Sequence, residues 1–431
     1  MLRKYFEFEK LKTDFKTEIT AGFVTFATMA YLLVLIPMML SGISMPIDAV
    51  FTASVLIAGF GSILTGLYTK RPFGLAPYIG ECAFVTYTVV GIMGYTWQEA
   101  LGAIFICGIL LFIMTLLNIR SWLVKSIPQT LKLSFIAGLG LFLILAGLKQ
   151  AGIVEITKNA LILGDISDIH VVLGIICLLM MIILSSLKVK SSILISIISI
   201  TVVGIILKDI ELPSEILSFS IPSVSPIFLK FDILNLLNTK GFVLIFTFFI
   251  LIFTDTMGSL IGISYKANLL DKEGNLPEIK KPMLVDSIST VLASLLGTTT
   301  SGYCAESVTG IEAGGKSGLT SVVVGILFLV SVIFAPLLGI IPVYAYAPAI
   351  IIVGILMSSS LSNINYDDFT EYLPAIIMIS LILFTSNFGV GMAAGFILYP
   401  ILKVLTKRNK ENNLGIWILF VASILFFIFC R

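Results

Sequence analysis

Apolar runs of roughly 17 to 25 residues recur along the whole chain, and short polar links separate them. A helical run of that length crosses about 30 Å of hydrocarbon. Of the 431 residues, 58% are hydrophobic and only 12% are charged. Soluble domains do not have this composition. The sequence therefore predicts an all-α polytopic membrane protein.

The loop charges indicate how often the chain crosses the membrane. Counting apolar runs gives about 14 spans. With this count, the basic residues before the first span and those of most short loops, such as Arg120 and Lys125, lie on one side, which is then the cytoplasm. The first run, Thr20 to Met39, is long enough to span the membrane, so it is not read as a cleaved signal peptide. We expect a multi-pass protein of the cell membrane with a cytoplasmic N-terminus.

A polar stretch from Lys208 to Lys240 divides the chain into two halves of about seven spans each. An odd number of spans per half would invert the second half relative to the first, as in inverted-repeat transporters. The third run of each half is interrupted, by Pro77 and Gly80 in one and by Gly302 and Gly310 in the other. Broken segments at corresponding places in two halves indicate a transporter's binding site.

The stretch from Gly297 to Gly318 is too polar to face lipid and too rich in glycine for an ordinary spanning helix. Irregular backbone at membrane depth persists only where protein or water satisfies its N–H and C=O groups, so we expect it to line a cavity. Glu306 lies in this stretch, and Glu81 and Asp255 lie in other apolar segments. Each would cost at least ~2.5 kcal/mol in lipid, so the three are predicted to form a functional site. Asp286 is expected only to interact with a helix N-terminus.

The polar residues do not match a catalytic signature. A single histidine excludes an HExxH metal site, and the chain has no GxSxG elbow. The sequence GGKSG at 314–318 lacks the spacing of a nucleotide-binding P-loop. We therefore expect no enzyme activity, no metal and no cofactor, and an ion gradient is the default energy source. The net charge of +2 gives no indication of a nucleic-acid partner.

Short motifs lie along nearly the whole chain, namely Thr28-Met29-Ala30-Tyr31, Leu75-Ala76-Pro77, Asp255-Thr256, Glu306-Ser307 and Gly318-Leu319-Thr320. Together they resemble the nucleobase:cation symporter family, and within it the Azg-like permeases for adenine, guanine and hypoxanthine. The resemblance implies a uracil-permease-like fold of 14 spans in two inverted seven-span repeats, with a short strand in each of the broken spans 3 and 10.

The resemblance also implies that core domains move against gate domains, with the base held between spans 3, 8 and 10. The implied division is a core domain at 1–118 (spans 1–4), a gate domain at 119–208 (spans 5–7), a polar inter-repeat loop at 209–240, a core domain at 241–338 (spans 8–11), and a gate domain at 339–431 (spans 12–14 and a C-terminal apolar segment, Trp417 to Phe429).

The chain departs from the family near the implied site. Family members read GMGLNAF where this chain has YIGECAF, so Glu81 and Cys82 replace a leucine and an asparagine. Of the two acids in the family's VDLFDT, Ile252 replaces the first and Asp255 remains. Ile36 replaces an asparagine that precedes a proline. We hypothesise that Glu81 supplies the carboxylate lost at Ile252; alternatively, it only tunes the potential of the inner vestibule.

These observations predict a secondary-active permease that imports a nucleobase, with a purine favoured, by proton symport and alternating access. Glu306 would accept hydrogen bonds from the base near the N-terminus of its half-helix. Asp255 and Glu306 are the candidates for proton coupling, because burial disfavours the charged form of a carboxylate. The full set of predicted substrate-binding residues is Glu81, Cys82, Phe84, Phe253, Asp255, Tyr303, Glu306 and Ser307.

Other readings of the sequence stay open. The same fold would serve a transporter of anions or of other small heterocycles, although three acids disfavour an anion. A channel or a sensor that has lost transport is a further alternative, as is sodium in place of the proton. Besides the base, the coupled proton and the lipid bilayer, a second copy of the chain is a possible partner, through the gate domains.

Overall fold

A computed structural model describes residues 2–157, 160–211, 217–271 and 276–429. Part of the predicted inter-repeat loop, at 212–216, and the last two residues of the second predicted gate domain lie outside the described residues. The chain is mainly helical. The α-helices are α1 (Leu2–Tyr5), α2 (Phe8–Leu11), α3 (Phe15–Met29), α4 (Leu32–Ser41), α5 (Ile47–Leu64), α6 (Ile79–Ala83), α7 (Trp97–Leu116), α8 (Ile119–Ser126), α9 (Gln129–Gln150), α10 (Ile169–Ser186), α11 (Ser192–Ile206), α12 (Thr239–Lys266), α13 (Lys280–Leu296), α14 (Ser307–Glu312), α15 (Gly318–Val330), α16 (Val343–Ser358), α17 (Phe369–Thr385), α18 (Phe388–Leu405) and α19 (Leu414–Phe429).

Other regular elements extend or connect these helices. The π-helical segments are Thr65–Thr69 and Phe84–Val90, and the 3₁₀ segments are Leu234–Leu236, Ser331–Ile340, Ser359–Asn363 and Asn409–Glu411. The strands are β1 (Leu75–Pro77), β2 (Val154–Ile156), β3 (Leu161–Leu163) and β4 (Ser301–Tyr303).

Nine helical stretches in the described part of the chain are long and apolar enough to cross a membrane, by length and composition. Four shorter apolar helices accompany them, including α11, α17 and α19. The first spanning stretch runs over Phe15–Ser41, so it is longer than the predicted run from Thr20 to Met39. It is divided between α3 and α4 at Ala30 and Tyr31, and Pro37 in α4 has no N–H to donate to the helix.

The two interrupted segments pair with each other. Strands β1 and β4 are antiparallel, with Leu75 opposite Tyr303 and Pro77 opposite Ser301. All residues of both strands are buried. After β1 the chain continues as α6 and its π-helical extension, and after β4 it continues as α14. The predicted short strands in the two broken spans are therefore present, and each satisfies the backbone of the other.

Two close helix pairs depend on glycine. A Cβ at Gly140 of α9 would lie 2.6 Å from the carbonyl oxygen of Gly354 in α16. Similarly, a Cβ at Gly325 of α15 would lie 2.5 Å from the carbonyl oxygen of Gly59 in α5. Both distances are shorter than any real carbon–oxygen contact. Small residues let the backbones approach this closely, as in other membrane-protein interfaces.

The glycine-rich sequence before α15 forms a helix N-terminus that is capped by a distant carboxylate. Glu18 is fully buried, and it accepts hydrogen bonds from the backbone N–H groups of Lys316 (3.1 Å) and Ser317 (3.1 Å). The hydroxyl groups of Thr320 (2.6 Å) and Thr13 (2.7 Å) also donate to it. A carboxylate is a suitable partner there, because the first N–H groups of a helix have no partner within the helix.

A buried lysine joins the ends of α17 and α18. Lys403 is fully buried and forms ion pairs of 2.7 Å with Glu371 and with Glu411. Beside it, Arg408 donates to Asp368 at 2.6 Å. Hydrogen bonds from Thr370 and Arg408 hold the pKa of Asp368 well below its usual range. This cluster is a second buried charge system, separate from the carboxylates that the sequence singles out.

The C-terminal apolar segment is the helix α19, which packs against α8, α12 and α18. Asn413, just before α19, donates through its side chain to the carbonyl oxygen of Ser126 at 2.9 Å. Near the other end, the rings of Phe426 and Phe246 lie 5.7 Å apart. Ile416, Leu419 and Phe426 are buried, whereas the opposite face of α19 is exposed. The segment is therefore a helix of the bundle.

The cap on α15 predicts a specific loss of stability. Changing Glu18 to alanine leaves the Lys316 and Ser317 N–H groups without their partner, and hydrogen bonds to a charged group contribute about 1.5–3 kcal/mol each. We expect the thermal unfolding temperature of the purified protein to fall clearly for Glu18→Ala. The matched control is Glu7→Gln, because Glu7 forms only exposed pairs with Lys10 and Lys70. Equal unfolding temperatures for the two variants would contradict the capping role.

Candidate functional site

The paired strands position two short helices toward the same region of the molecule. Helix α6 begins at Ile79, two residues after β1, and α14 begins at Ser307, four residues after β4. The Ser307 hydroxyl donates to the carbonyl oxygen of Cys304 at 2.7 Å and accepts from the Gly74 N–H at 2.9 Å. Ser307 thus connects the start of α14 with the segment that precedes β1.

Glu306 immediately precedes α14, but its side chain does not cap that helix. Its carboxylate instead accepts a hydrogen bond of 2.5 Å from the Tyr31 hydroxyl, at the junction of α3 and α4. Glu306 is partly exposed, and the neighbouring Ala305 is exposed, although both lie between buried residues. The carboxylate is therefore held by Tyr31 in a residue that is partly exposed. Because α14 has only six residues, Tyr31 rather than a helix dipole defines the position of this carboxylate.

Glu81 and Asp255 face each other from α6 and α12. Glu81 is fully buried and Asp255 is 8% exposed, and their carboxyl groups interact. Neither side-chain oxygen of Glu81 has a well-formed hydrogen bond to another described residue. Buried polar atoms usually have a hydrogen-bond partner. The Glu81 oxygens therefore indicate a position where a bound proton or a ligand would supply the missing hydrogen bond.

Two further groups connect these carboxylates with Glu306. Cys304 lies within electrostatic range of Glu306, Asp255 and Glu81, and Tyr78 lies within that range of Asp255 and Glu81. The Tyr78 hydroxyl donates to the carbonyl oxygen of Tyr303 at 3.3 Å. The three predicted carboxylates thus belong to one region around the paired strands.

Two of the positions at which this chain departs from the family are neighbours. The Cys82 thiol is fully buried and donates to the carbonyl oxygen of Ile36 at 3.9 Å. Ile252 is also fully buried, and it lies on the helix that carries Asp255. Cys82 and Ile36 therefore belong to the same part of the interior, and Ile252 is a further apolar position on α12.

The predicted aromatic and hydroxyl residues occupy different surroundings. Phe84 lies in an aromatic cluster, 5.1 Å from the ring of Phe248 and 4.9 Å from that of Phe388. Phe253 is buried and stacks on Phe249 with ring centroids 5.9 Å apart. Both rings are thus already engaged with other rings.

The surroundings of the Tyr303 side chain do not favour the prediction that it contacts substrate. Its ring packs edge-on against Phe73, in an apolar cluster that also contains Leu75. Its hydroxyl donates to the carbonyl oxygen of Pro282 at 2.9 Å. Alternate side chains of a strand point to opposite faces, and Tyr303 lies on the face of β4 that packs against α13. The side chain therefore packs the strand pair from behind.

Arg120 and Asp286 are buried partners that the sequence does not predict. Arg120 was expected in a basic loop and Asp286 at a helix N-terminus, yet both side chains are fully buried and lie 2.7 Å apart. The Thr256 hydroxyl donates to the same Asp286 carboxylate, at 3.1 and 3.2 Å from its two oxygens. Thr256 follows Asp255 in α12. No local pattern indicates this contact, because 166 residues separate the two charges.

The fold is that of known membrane transporters. It aligns with the transmembrane domain of the cyanobacterial bicarbonate transporter BicA with a TM-score of 0.62, covering 88% of this chain and 96% of that one at 15% identity. It aligns with murine Slc26a9, an anion transporter in the inward-facing state, with a TM-score of 0.63, covering 92% of this chain and 69% of that one at 13% identity. At these identities the likeness extends to the fold alone.

Sequence comparison gives the family. Residues 16–397 match a model of the permease family, and the chain belongs to that family. It is 42% identical to the putative permease MJ0326 of Methanocaldococcus jannaschii, over 99% of this chain and 97% of that one. It is 39% identical to the adenine permease AdeQ of Escherichia coli (96% and 93%), and 35% identical to the guanine/hypoxanthine permease PbuG of Bacillus subtilis (100% of each).

The family implied by the sequence motifs is thereby confirmed. The chain is a multi-pass membrane permease and not an enzyme, as predicted.

Proposed function

We propose that this chain imports a purine nucleobase, such as adenine, guanine or hypoxanthine, by proton symport and alternating access. The observation that carries the proposal is the gathering of Glu81, Asp255 and Glu306 around the paired strands of a chain whose relatives are adenine and guanine/hypoxanthine permeases. A purine edge offers N–H donors, and carboxylates are strong acceptors for them. Bicarbonate, the substrate named for one structural relative, would be repelled by such a site.

In this proposal Glu306 is the principal contact to the base. Its carboxylate is held by the Tyr31 hydroxyl, and the residue is partly exposed. Glu81 and Asp255 then form the proton-carrying pair, because two facing carboxylates cannot both be ionised at low cost in a buried site. Phe84 and Phe253 would contribute apolar surface, and Cys82 a small thiol where the family has an amide.

The same proposal includes the architecture of two inverted seven-span repeats, with core domains at 1–118 and 241–338 and gate domains at 119–208 and 339–431. The antiparallel pairing of β1 with β4 and the packing of α9 on α16 support it, because each pair joins elements at corresponding places in the two halves. With the N-terminus in the cytoplasm of a cell-membrane protein, the C-terminal end of α9 faces outward. The gate domains would also form any homodimer.

A hydrogen-bonded bridge between a proposed core element and two gate helices would act as an outer gate. The Tyr87 hydroxyl, after α6, donates to the side-chain oxygen of Gln150 at the end of α9. The Gln150 amide nitrogen donates to the Tyr346 hydroxyl of α16 at 2.9 Å. Beside this bridge lies a cavity of about 660 Å³, lined among others by Thr86 and Phe142 but by none of the three carboxylates.

Ligand-induced thermal stabilisation tests the substrate class. We expect adenine, guanine or hypoxanthine to stabilise the purified protein, by about 2.7 kcal/mol at a concentration of 100 Kd. Glu306→Gln should weaken binding about 10- to 100-fold, because it replaces a charged acceptor. Glu312→Gln, an exposed carboxylate on the same helix, is the control. Stabilisation by bicarbonate or sulfate, and by no nucleobase, would overturn the proposal.

Uptake into proteoliposomes tests the coupling. An inward proton gradient should accelerate nucleobase uptake by the wild type, and Asp255→Asn should retain binding while losing this response. Glu81→Gln should reduce the response as well, because it removes the other member of the pair. The partly buried Glu99, whose side chain belongs to the N-terminal cap of α7, provides the control variant Glu99→Gln. If uptake responds to a sodium gradient only, or if both Glu81→Gln and Glu81→Ala behave as wild type, the respective roles are wrong.

Thiol labelling tests the outer gate. Gln150→Ala removes two hydrogen bonds, worth about 1–3 kcal/mol together, so the open state should become roughly tenfold more populated. A cysteine at the buried Thr86 should then react several-fold faster with an impermeant maleimide added outside. Gln150→Glu is the matched control, since a carboxylate accepts from both tyrosines. Equal labelling rates in the Ala and Glu variants would exclude this gate.

A further inference from the structure

A fully buried arginine lies beside the carboxylates of the site. Arg120, in α8, donates to the Asp286 carboxylate at 2.7 Å and to the carbonyl oxygen of Met283 at 3.2 Å. Both charged side chains are completely buried. Such a pair is costly to form, and removing one partner leaves an uncompensated charge in the interior. Its presence therefore calls for a reason other than stability alone.

The pair is electrostatically connected to the proposed proton-carrying residues. Asp286 interacts with both Asp255 and Glu81. It is also held by the Thr256 hydroxyl, from the residue that follows Asp255 in α12. A change in the charge of Asp286 would therefore act on Asp255 through space and through the hydrogen bond of the adjacent Thr256.

The charged and titratable groups around this region come from several elements. Glu81 lies on α6, Asp255 on α12, Asp286 on α13, and Glu306 precedes α14. Tyr78, Tyr303 and Cys304 interact with one or more of these carboxylates. Arg120 is a cation that contacts one of these carboxylates, that of Asp286. With Asp286 neutralised by Arg120, the negative charge that remains to be balanced lies on the other carboxylates.

We propose that Arg120 is a positioning residue that keeps Asp286 ionised and neutralised, so that the coupled proton is held by the Glu81–Asp255 pair. This inference rests on the proposed proton-coupled function and assigns a role within it to a residue outside the substrate contacts. Arg120 lies in α8, which begins the proposed gate domain. Its ion pair with Asp286 therefore links the start of that domain to α13.

The two single variants should shift the pH at which the Glu81–Asp255 pair loses its proton in opposite directions, and the double variant should cancel the shifts. Arg120→Gln leaves the Asp286 charge uncompensated, so the pair should retain its proton to higher pH. Asp286→Asn leaves the Arg120 charge uncompensated, so the pair should lose its proton at lower pH. Each shift is expected to be about one pH unit or more, since a neighbouring charge has effects of this size. The double variant removes both charges and should return close to the wild-type midpoint.

The measurement is the midpoint pH of hypoxanthine-induced thermal stabilisation, together with the midpoint pH of unfolding without ligand. Arg120→Lys should keep the wild-type midpoint, because the charge remains, even if the protein unfolds at a lower temperature. Lys403→Gln disrupts a different buried cation and should lower stability without moving the midpoint of hypoxanthine-induced stabilisation. This control separates a general loss of packing from a change in the site's charge.

The outcomes distinguish the inference from the function on which it rests. If hypoxanthine, adenine and guanine do not stabilise the wild type, the proposed function fails, and the unliganded midpoints still decide the role of Arg120. Shifts of opposite sign that cancel in the double variant support that role. Shifts in the same direction, or none, overturn it, because a purely structural ion pair would lower stability in both single variants without moving the midpoints apart.

Discussion

The antiparallel pairing of β1 with β4 is the interaction on which the site depends. A chain that interrupts its helices at membrane depth exposes N–H and C=O groups, and each unsatisfied group costs several kcal/mol in hydrocarbon. Here the two interrupted segments satisfy each other, and the hydroxyl of Ser307 satisfies the N–H that precedes β1. Because the two breaks pair, both half-helices follow strands that lie side by side.

This geometry explains why acidic residues from distant parts of the sequence are neighbours. Glu81 and Glu306 follow the two strands, whereas Asp255 reaches them from the long helix α12. The interior therefore contains a concentration of negative charge that lipid would not tolerate. It is balanced unevenly, because Arg120 neutralises Asp286 and Tyr31 holds Glu306, whereas among the described residues Glu81 interacts with another carboxylate, that of Asp255. An uneven balance is what a site needs if one of its groups is to exchange a proton.

Local patterns revealed the parts of this arrangement that have a local cause. Glycine and proline in apolar runs predict the two breaks, and a carboxylate in such a run predicts a polar interior, so Glu81, Asp255 and Glu306 could be found from the sequence. Contacts between distant segments could not be found from the sequence. The partner of Glu18 lies 299 residues away, and that of Arg120 lies 166 residues away. The basic surroundings of Arg120 even favoured the opposite interpretation, since loop cations ordinarily face the cytoplasm.

The neighbouring replacements give a physical account of how this chain differs from its family. Cys82 contacts the backbone of Ile36, and the motif resemblance implies an asparagine at each of these positions in the family, so two neighbouring amides would be replaced by a thiol and an alkyl group. We hypothesise that Glu81, which interacts with Asp255, supplies the carboxylate that the family motif carries at the position of Ile252. In the proposed site the acceptors for N–H groups would then be kept while amide donors are lost, so a ligand would be recognised mainly through its N–H groups.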